Sequence, residues 1–91
     1  MSDNAQADAR WAEYLPAIRA WEQTPHDRDM AVVALAKFIR WIDAVQSRAM
    51  PRRAVWFARC VRRRADQMGL NRKDTIAAFD MALGVKARTA A

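Results

Sequence analysis

The sequence predicts an all-α fold, a compact bundle of about four helices. Three observations carry that prediction. Apolar residues recur at three- and four-residue spacing through most of the chain. Only two glycines and three prolines interrupt it, which leaves little room for long loops. Alanine, the strongest helix former, swells the 53% hydrophobic fraction.

A first helix is expected over about residues 4–23, capped by Ser2 or Asp3. Trp11, Tyr14, Leu15, Ile18 and Trp21 define its apolar face. Pro16 removes an N–H and presses on the preceding turn, yet the stripe keeps its phase across it, which predicts one kinked helix. Two short helices are the alternative, because Pro16 pushes Leu15 away from α geometry.

In "TPHD", Thr24 suits a cap, Pro25 a first helical position and Asp27 the positive helix end. The second helix is expected to run to about Ala49. Its stretch "MAVVALAKFIRWI" is apolar nearly all round, apart from a stripe through Lys37, Arg40 and Asp43. Such a helix belongs at the centre, with the others packed on it.

The third helix is expected from near Pro51 to Met68. Gly69 stops it and Leu70 folds back on its last turn. Ala54, Phe57, Ala58, Val61, Ala65 and Met68 gather on the side expected to face the core. Arg52, Arg59, Arg63 and, more peripherally, Arg62 gather on the other, with Arg53 and Arg64 at the flank. Asp66 falls near this face, where it can pair with Arg62. Trp56 falls among the arginines. There it can stack on a guanidinium or a nucleic-acid base, plug a partner's pocket, or lie under a chain terminus.

The fourth helix, short and set off by the Gly69 corner, is expected from Asn71 to Leu83. Asn71 and Asp74 form a variant of the capping box, and Gly84 follows. Ile76, Phe79 and Leu83 form its expected buried stripe. Ala78, Met81, Ala82 and Val85 make a mild apolar strip elsewhere, a possible homodimer or partner contact. Met30, Met50 and Met68 read as core filler. Residues 1–84 thus form one helical domain and 85–91 a flexible tail.

The net charge of +6 is unevenly placed. Residues 1–47 carry seven acids and five bases, whereas residues 48–73 carry nine bases and one acid, Asp66. Arginine outnumbers lysine 13 to 3, a preference that GC-rich codon use also produces. The concentration of charge in one segment is what points to an acidic partner.

"VRRRADQMGLNRKDTIAAF" resembles the helix-turn-helix family over about a fifth of the chain. Ala65 and Gly69 stand four apart, as that family places its small residue and turn glycine, and Leu70 follows as the usual apolar residue. The resemblance implies that Ile76 points inward and that Arg72, Lys73 and Thr75 approach bases or phosphates. The sequence departs from the family at Arg64, where an apolar residue is usual, and at Ile76, which comes one residue late.

Catalytic and cofactor signatures are not evident. His26 beside Asp27 and Asp29 has no accompanying nucleophile and reads as a surface residue. Cys60 sits between the buried and basic faces, with Arg59, Arg63 and Arg64 near enough to favour its thiolate. One cysteine cannot form an internal disulfide, and one His with one Cys are too few for a structural zinc site. The polar N-terminus does not read as a signal peptide, and no apolar run approaches the roughly 20 residues of a membrane span. These features lead to the expectation of a cytoplasmic, non-enzymatic protein without metal, cofactor or membrane.

The functional expectation is a small basic regulator that contacts nucleic acid, specifically DNA. Arg52, Trp56, Arg59, Arg62 and Arg63 would make the contact, with Arg72 and Lys73 extending the track. The alternative is a protein-binding inhibitor, anti-activator or adaptor of phage or plasmid type, docking an acidic or nucleic-acid-handling protein surface.

Overall fold

A computed structural model describes residues 2–46 and 50–84. Within them lie four helices and no strand: α1 (Ser2–Gln23), α2 (Arg28–Val45), α3 (Arg53–Gln67) and α4 (Arg72–Leu83). The all-α bundle expected from the sequence is the fold observed. α1 is a single helix with Pro16 inside it.

The helix boundaries follow local chemistry. α2 starts three residues later than the "TPHD" reading expects. Thr24, Pro25 and His26 form a turn, in which the Asp27 amide donates to the Thr24 carbonyl at 2.9 Å. Asp27 then caps α2, its carboxylate accepting from the Met30 amide at 3.1 Å. The charged acceptor at Asp27 takes the place expected for Thr24. α2 ends at Val45, short of the expected Ala49; residues 47–49 lie outside the described residues. Pro51 lies in a turn ahead of α3 and does not occupy its first helical position.

The α3–α4 corner matches its sequence signals. Gly69 has φ +71°, the left-handed conformation that glycine adopts without steric cost. The Leu70 amide donates to the Ala65 carbonyl at 2.9 Å and the Gly69 amide to the Asp66 carbonyl at 3.1 Å. That pair of bonds is a Schellman motif, and it buries Leu70. Asn71 caps α4 by accepting from the Asp74 amide at 2.8 Å. The Asp74 carboxylate lies 3.1 Å from the guanidinium of Arg28, an ion pair between the starts of α4 and α2.

α2 is the hub. Its buried residues Ala31, Val32, Ala34, Leu35, Ala36, Ile39 and Ile42 face neighbours on several sides. α1 contributes Tyr14 and Ile18 to this core, with Trp21 partly buried against it. α3 contributes only Val61 and Ala65, continued by Met68 and Leu70 in the corner. Polar links reinforce the arrangement. Glu13 on α1 joins Arg10 at 2.8 Å and both Lys37 and Arg40 of α2 at 3.4 Å. Arg40 also donates to the Ala82 carbonyl of α4 at 3.4 Å. Arg53 reaches back from α3 to Asp43 at 2.9 Å.

Several expected faces are corrected. In α4, Ile76 is 42% exposed and Leu83 is also exposed, while Phe79 is only partly buried. Ala78 (0% exposed) and Ala82 are the residues that enter the core. Small side chains let α4 lie close against α2, and the bulky stripe is turned away. Ala78 and Ala82 therefore cannot form the expected partner strip; Met81 is exposed, and Val85 lies outside the described residues. In α3, Ala54 and Ala58 are exposed and Phe57 is half-buried, leaving a narrower line of attachment than the expected face. In α1, Trp11 lies on the apolar face that the spacing defines, yet it is 38% exposed. Met30 is likewise exposed, not core filler.

Two predictions follow from this packing. Ala78→Leu overfills the α2–α4 contact and should lower unfolding free energy by about 1–3 kcal/mol in a denaturant titration. Ile76→Ala should stay within about 0.5 kcal/mol of wild type; the reverse ranking would return α4 to the expected phase. The second concerns Glu13. Its hydrogen bond from Arg10 holds the carboxyl below the usual glutamate value against a raising effect of burial, with Lys37 and Arg40 adding to the lowering. A depressed native pKa means the contribution is present above the unfolded pKa and lost as pH falls through the native one. Thermal melts should therefore separate wild type from Glu13→Gln near neutral pH, and the gap should close as the pH falls below the usual glutamate range and through the lowered native value.

Candidate nucleic-acid interface

The structure divides the arginines of the basic segment into two groups. Arg53 and Arg64 are used internally. Arg53 binds Asp43 at 2.9 Å, and the side-chain amide of the buried Gln46 lies beside the pair, within 3.1 Å of the Arg53 guanidinium and 3.3 Å of its carbonyl. Arg64 donates from its Nε to the Tyr14 hydroxyl at 3.1 Å, with a second short bond from its Nη2, and reaches Gln67 at 3.0 Å. Its guanidinium carbon lies 5.9 Å from the ring centres of both Tyr14 and Phe38. An arginine where a helix-turn-helix usually has an apolar residue thus fastens α3 to α1.

Arg52, Arg59, Arg62 and Arg63 form the second group. All four are exposed and pair with no acid among the described residues. The expected Arg62–Asp66 ion pair is not formed. Arg59 and Arg63 are one turn apart, about 6 Å along the axis. A shallow hollow is lined by Arg59, Arg62, Arg63, Asp66 and Gln67. At the head of the row Arg52 adopts φ +58° with no side-chain cap bond. Glycine or asparagine takes that conformation at lower cost, so arginine here adds an exposed guanidinium at the expense of backbone strain. Arg72 and Lys73 are also exposed, at the start of α4.

Trp56 is 37% exposed and makes no ring or cation contact with another described residue. It lies three and seven residues before Arg59 and Arg63, on the same strip of α3. The possibility of a covering terminus is not met among the described residues.

Aromatic residues outside α3 border this strip, and sequence reasoning assigned them elsewhere. Trp11 and Tyr14 of α1 meet Phe38 and Trp41 of α2, with ring centres 4.6 Å apart for Trp11–Trp41 and 5.4 Å for Trp11–Tyr14. A hollow of about 330 Å³ opens between these rings and Cys60, Arg63, Arg64 and Gln67. Cys60 is half-buried in its wall as a free thiol. The sequence signal was the three-residue spacing within both the Trp11–Tyr14 and Phe38–Trp41 pairs, which places two rings on one face of each helix.

On the far side of α3, a groove of about 570 Å³ separates it from α4. Phe57 and Phe79 bridge the two helices with ring centres 5.9 Å apart. Ile76 lines the groove instead of turning inward, which removes the internal contact that the helix-turn-helix resemblance implies. His26 is exposed in the α1–α2 turn. Among the described residues no three His, Cys, Asp or Glu side chains converge as metal ligands, and no helix is long and apolar enough to cross a membrane.

No protein-family model, curated protein or solved structure matches this chain.

Proposed function

We propose that the protein is a small regulator that binds nucleic acid through the outer face of α3. The observation that carries this reading is the row of exposed Arg52, Arg59, Arg62 and Arg63, which pair with no acid among the described residues. Solvated guanidinium groups in a row attract a polyanion and release its counterions on contact. Their planar forks suit phosphate oxygens. Trp56 lies within the row and offers a ring face to a base or sugar. Arg72 and Lys73 extend the positive surface past the Gly69 corner. The role is binding, without a catalytic step.

The double substitution Arg59→Glu with Arg63→Glu tests this. Both side chains are exposed, so the circular dichroism spectrum and melting temperature should change little. Binding to a labelled oligonucleotide at low salt should fall by more than about a hundredfold, and the salt dependence of the residual binding should flatten by about two charges. Absence of binding by the wild-type protein at low salt would overturn the reading.

A second reading, a protein-binding adaptor, is favoured by the α3–α4 groove. Val61, Leu70, Ile76 and Phe79 give it apolar walls, and Arg62 and Arg72 flank it. An acidic amphipathic helix suits that combination. Under this reading Ile76→Asp abolishes capture of a partner through an acidic helical segment, while Arg59→Glu with Arg63→Glu leaves capture intact; the opposite pattern in a pull-down rejects it.

A further inference from the structure

We infer that the hollow among Trp11, Tyr14, Phe38 and Trp41 receives one unstacked nucleobase, so that the nucleic acid bound along α3 is single-stranded. This rests on the nucleic-acid reading of α3 and specifies its ligand.

The argument begins with an aromatic cluster that is not sealed. Four rings converge from α1 and α2, yet Trp11 is 38% exposed and Trp41 only partly buried. Rings of this size are ordinarily covered when a core closes, because each buries a large apolar area. Here Arg64 covers only the Tyr14–Phe38 side, held there by the Tyr14 hydroxyl. The remaining hollow, about 330 Å³, is at the small end of ligand pockets, which span about 300–1,000 Å³. Its lining contains no carboxylate.

The second step is continuity. The aromatic hollow and the arginine hollow share Arg63 and Gln67. A strand whose phosphates lie against Arg59, Arg62 and Arg63 therefore passes the mouth of the aromatic site. Gln67 accepts from Arg64 through its side-chain oxygen, which leaves its amide NH₂ to donate to a base edge. A base in a duplex is stacked on both faces and cannot enter. A base in a single strand turns out at little cost, and each base stacked on an aromatic ring contributes about 1–3 kcal/mol.

The test compares short labelled oligothymidylate and oligouridylate with a DNA duplex of equal length, by fluorescence anisotropy at low salt. Single strands should bind at least about tenfold more tightly than the duplex, with the two single strands separating DNA from RNA as the preferred source. Trp11→Ala should weaken single-strand binding by about tenfold, the loss of one stacked base, and duplex binding by less than about twofold. Because Trp11 also packs on Trp41 and Tyr14, a second measurement leaves the chain unmutated. Alkylation of Cys60 with N-ethylmaleimide puts bulk into the hollow, and should weaken single-strand binding; bound oligonucleotide should slow that alkylation. Equal duplex affinity, or single-strand binding indifferent to Cys60 alkylation but abolished by Arg59→Glu with Arg63→Glu, overturns the base site and leaves the phosphate reading standing. No binding by any probe overturns both.

Discussion

The narrow attachment of α3 is the constraint on which the surface of this protein depends. α2 is buried over most of its circumference, with α1 and α4 packed along it. α3 adds only Val61 and Ala65 to that core before the chain turns at Met68 and Leu70. A helix held by so thin a line exposes most of its circumference to water. Arginines occupy its outer face, an aromatic hollow borders one flank and an apolar groove the other.

Arginine chemistry then resolves what the helix alone cannot. α3 has no acid in its first turn, and Arg52 and Arg53 stand at its positive dipole end, an unfavourable placement. Arg53 offsets this by binding Asp43 and Gln46, and Arg64 fastens the other end to Tyr14. These two side chains substitute for missing apolar contacts, since a long arginine packs along its stem while its head is hydrogen-bonded. Arg52, Arg59, Arg62 and Arg63 have no such partner among the described residues. Their mutual repulsion is tolerable while they are solvated and screened, and it is relieved by a polyanion.

Local signals in the sequence were legible to the residue where a backbone group demanded a specific partner. Gly69 with Leu70, Asn71 with Asp74, and Gly84 each mark a helix end, and each stands where its spacing places it. The α2 start was harder, because Thr24 and Asp27 both satisfy a cap pattern and only the folded turn selects between them. The phase of α4 was misread for a different reason. Ile76, Phe79 and Leu83 outweigh Ala78 and Ala82 on any hydrophobicity scale, but close approach to α2 selects small residues. The exposed arginines were legible from helical phase alone. The aromatic hollow was not, because it exists only where α1, α2 and α3 meet.

The same geometry couples the candidate site to stability. The aromatic hollow has walls on three helices, and α3 supplies Cys60, Arg63, Arg64 and Gln67. A ligand held between Trp11 or Trp41 and Arg63 bridges the α1–α2 pair to the least anchored helix. Binding energy is then linked to the docking of α3: whatever binds only the docked form stabilises it by mass action. α3 gives the core Val61, Ala65, the partly buried Phe57 and the corner residues Met68 and Leu70, and it is tied further by Arg53 to Asp43 and by Arg64 to Tyr14. In the proposed base site, ligand affinity and the docking of α3 are therefore linked through one contact, that between the basic helix and the aromatic face beside it.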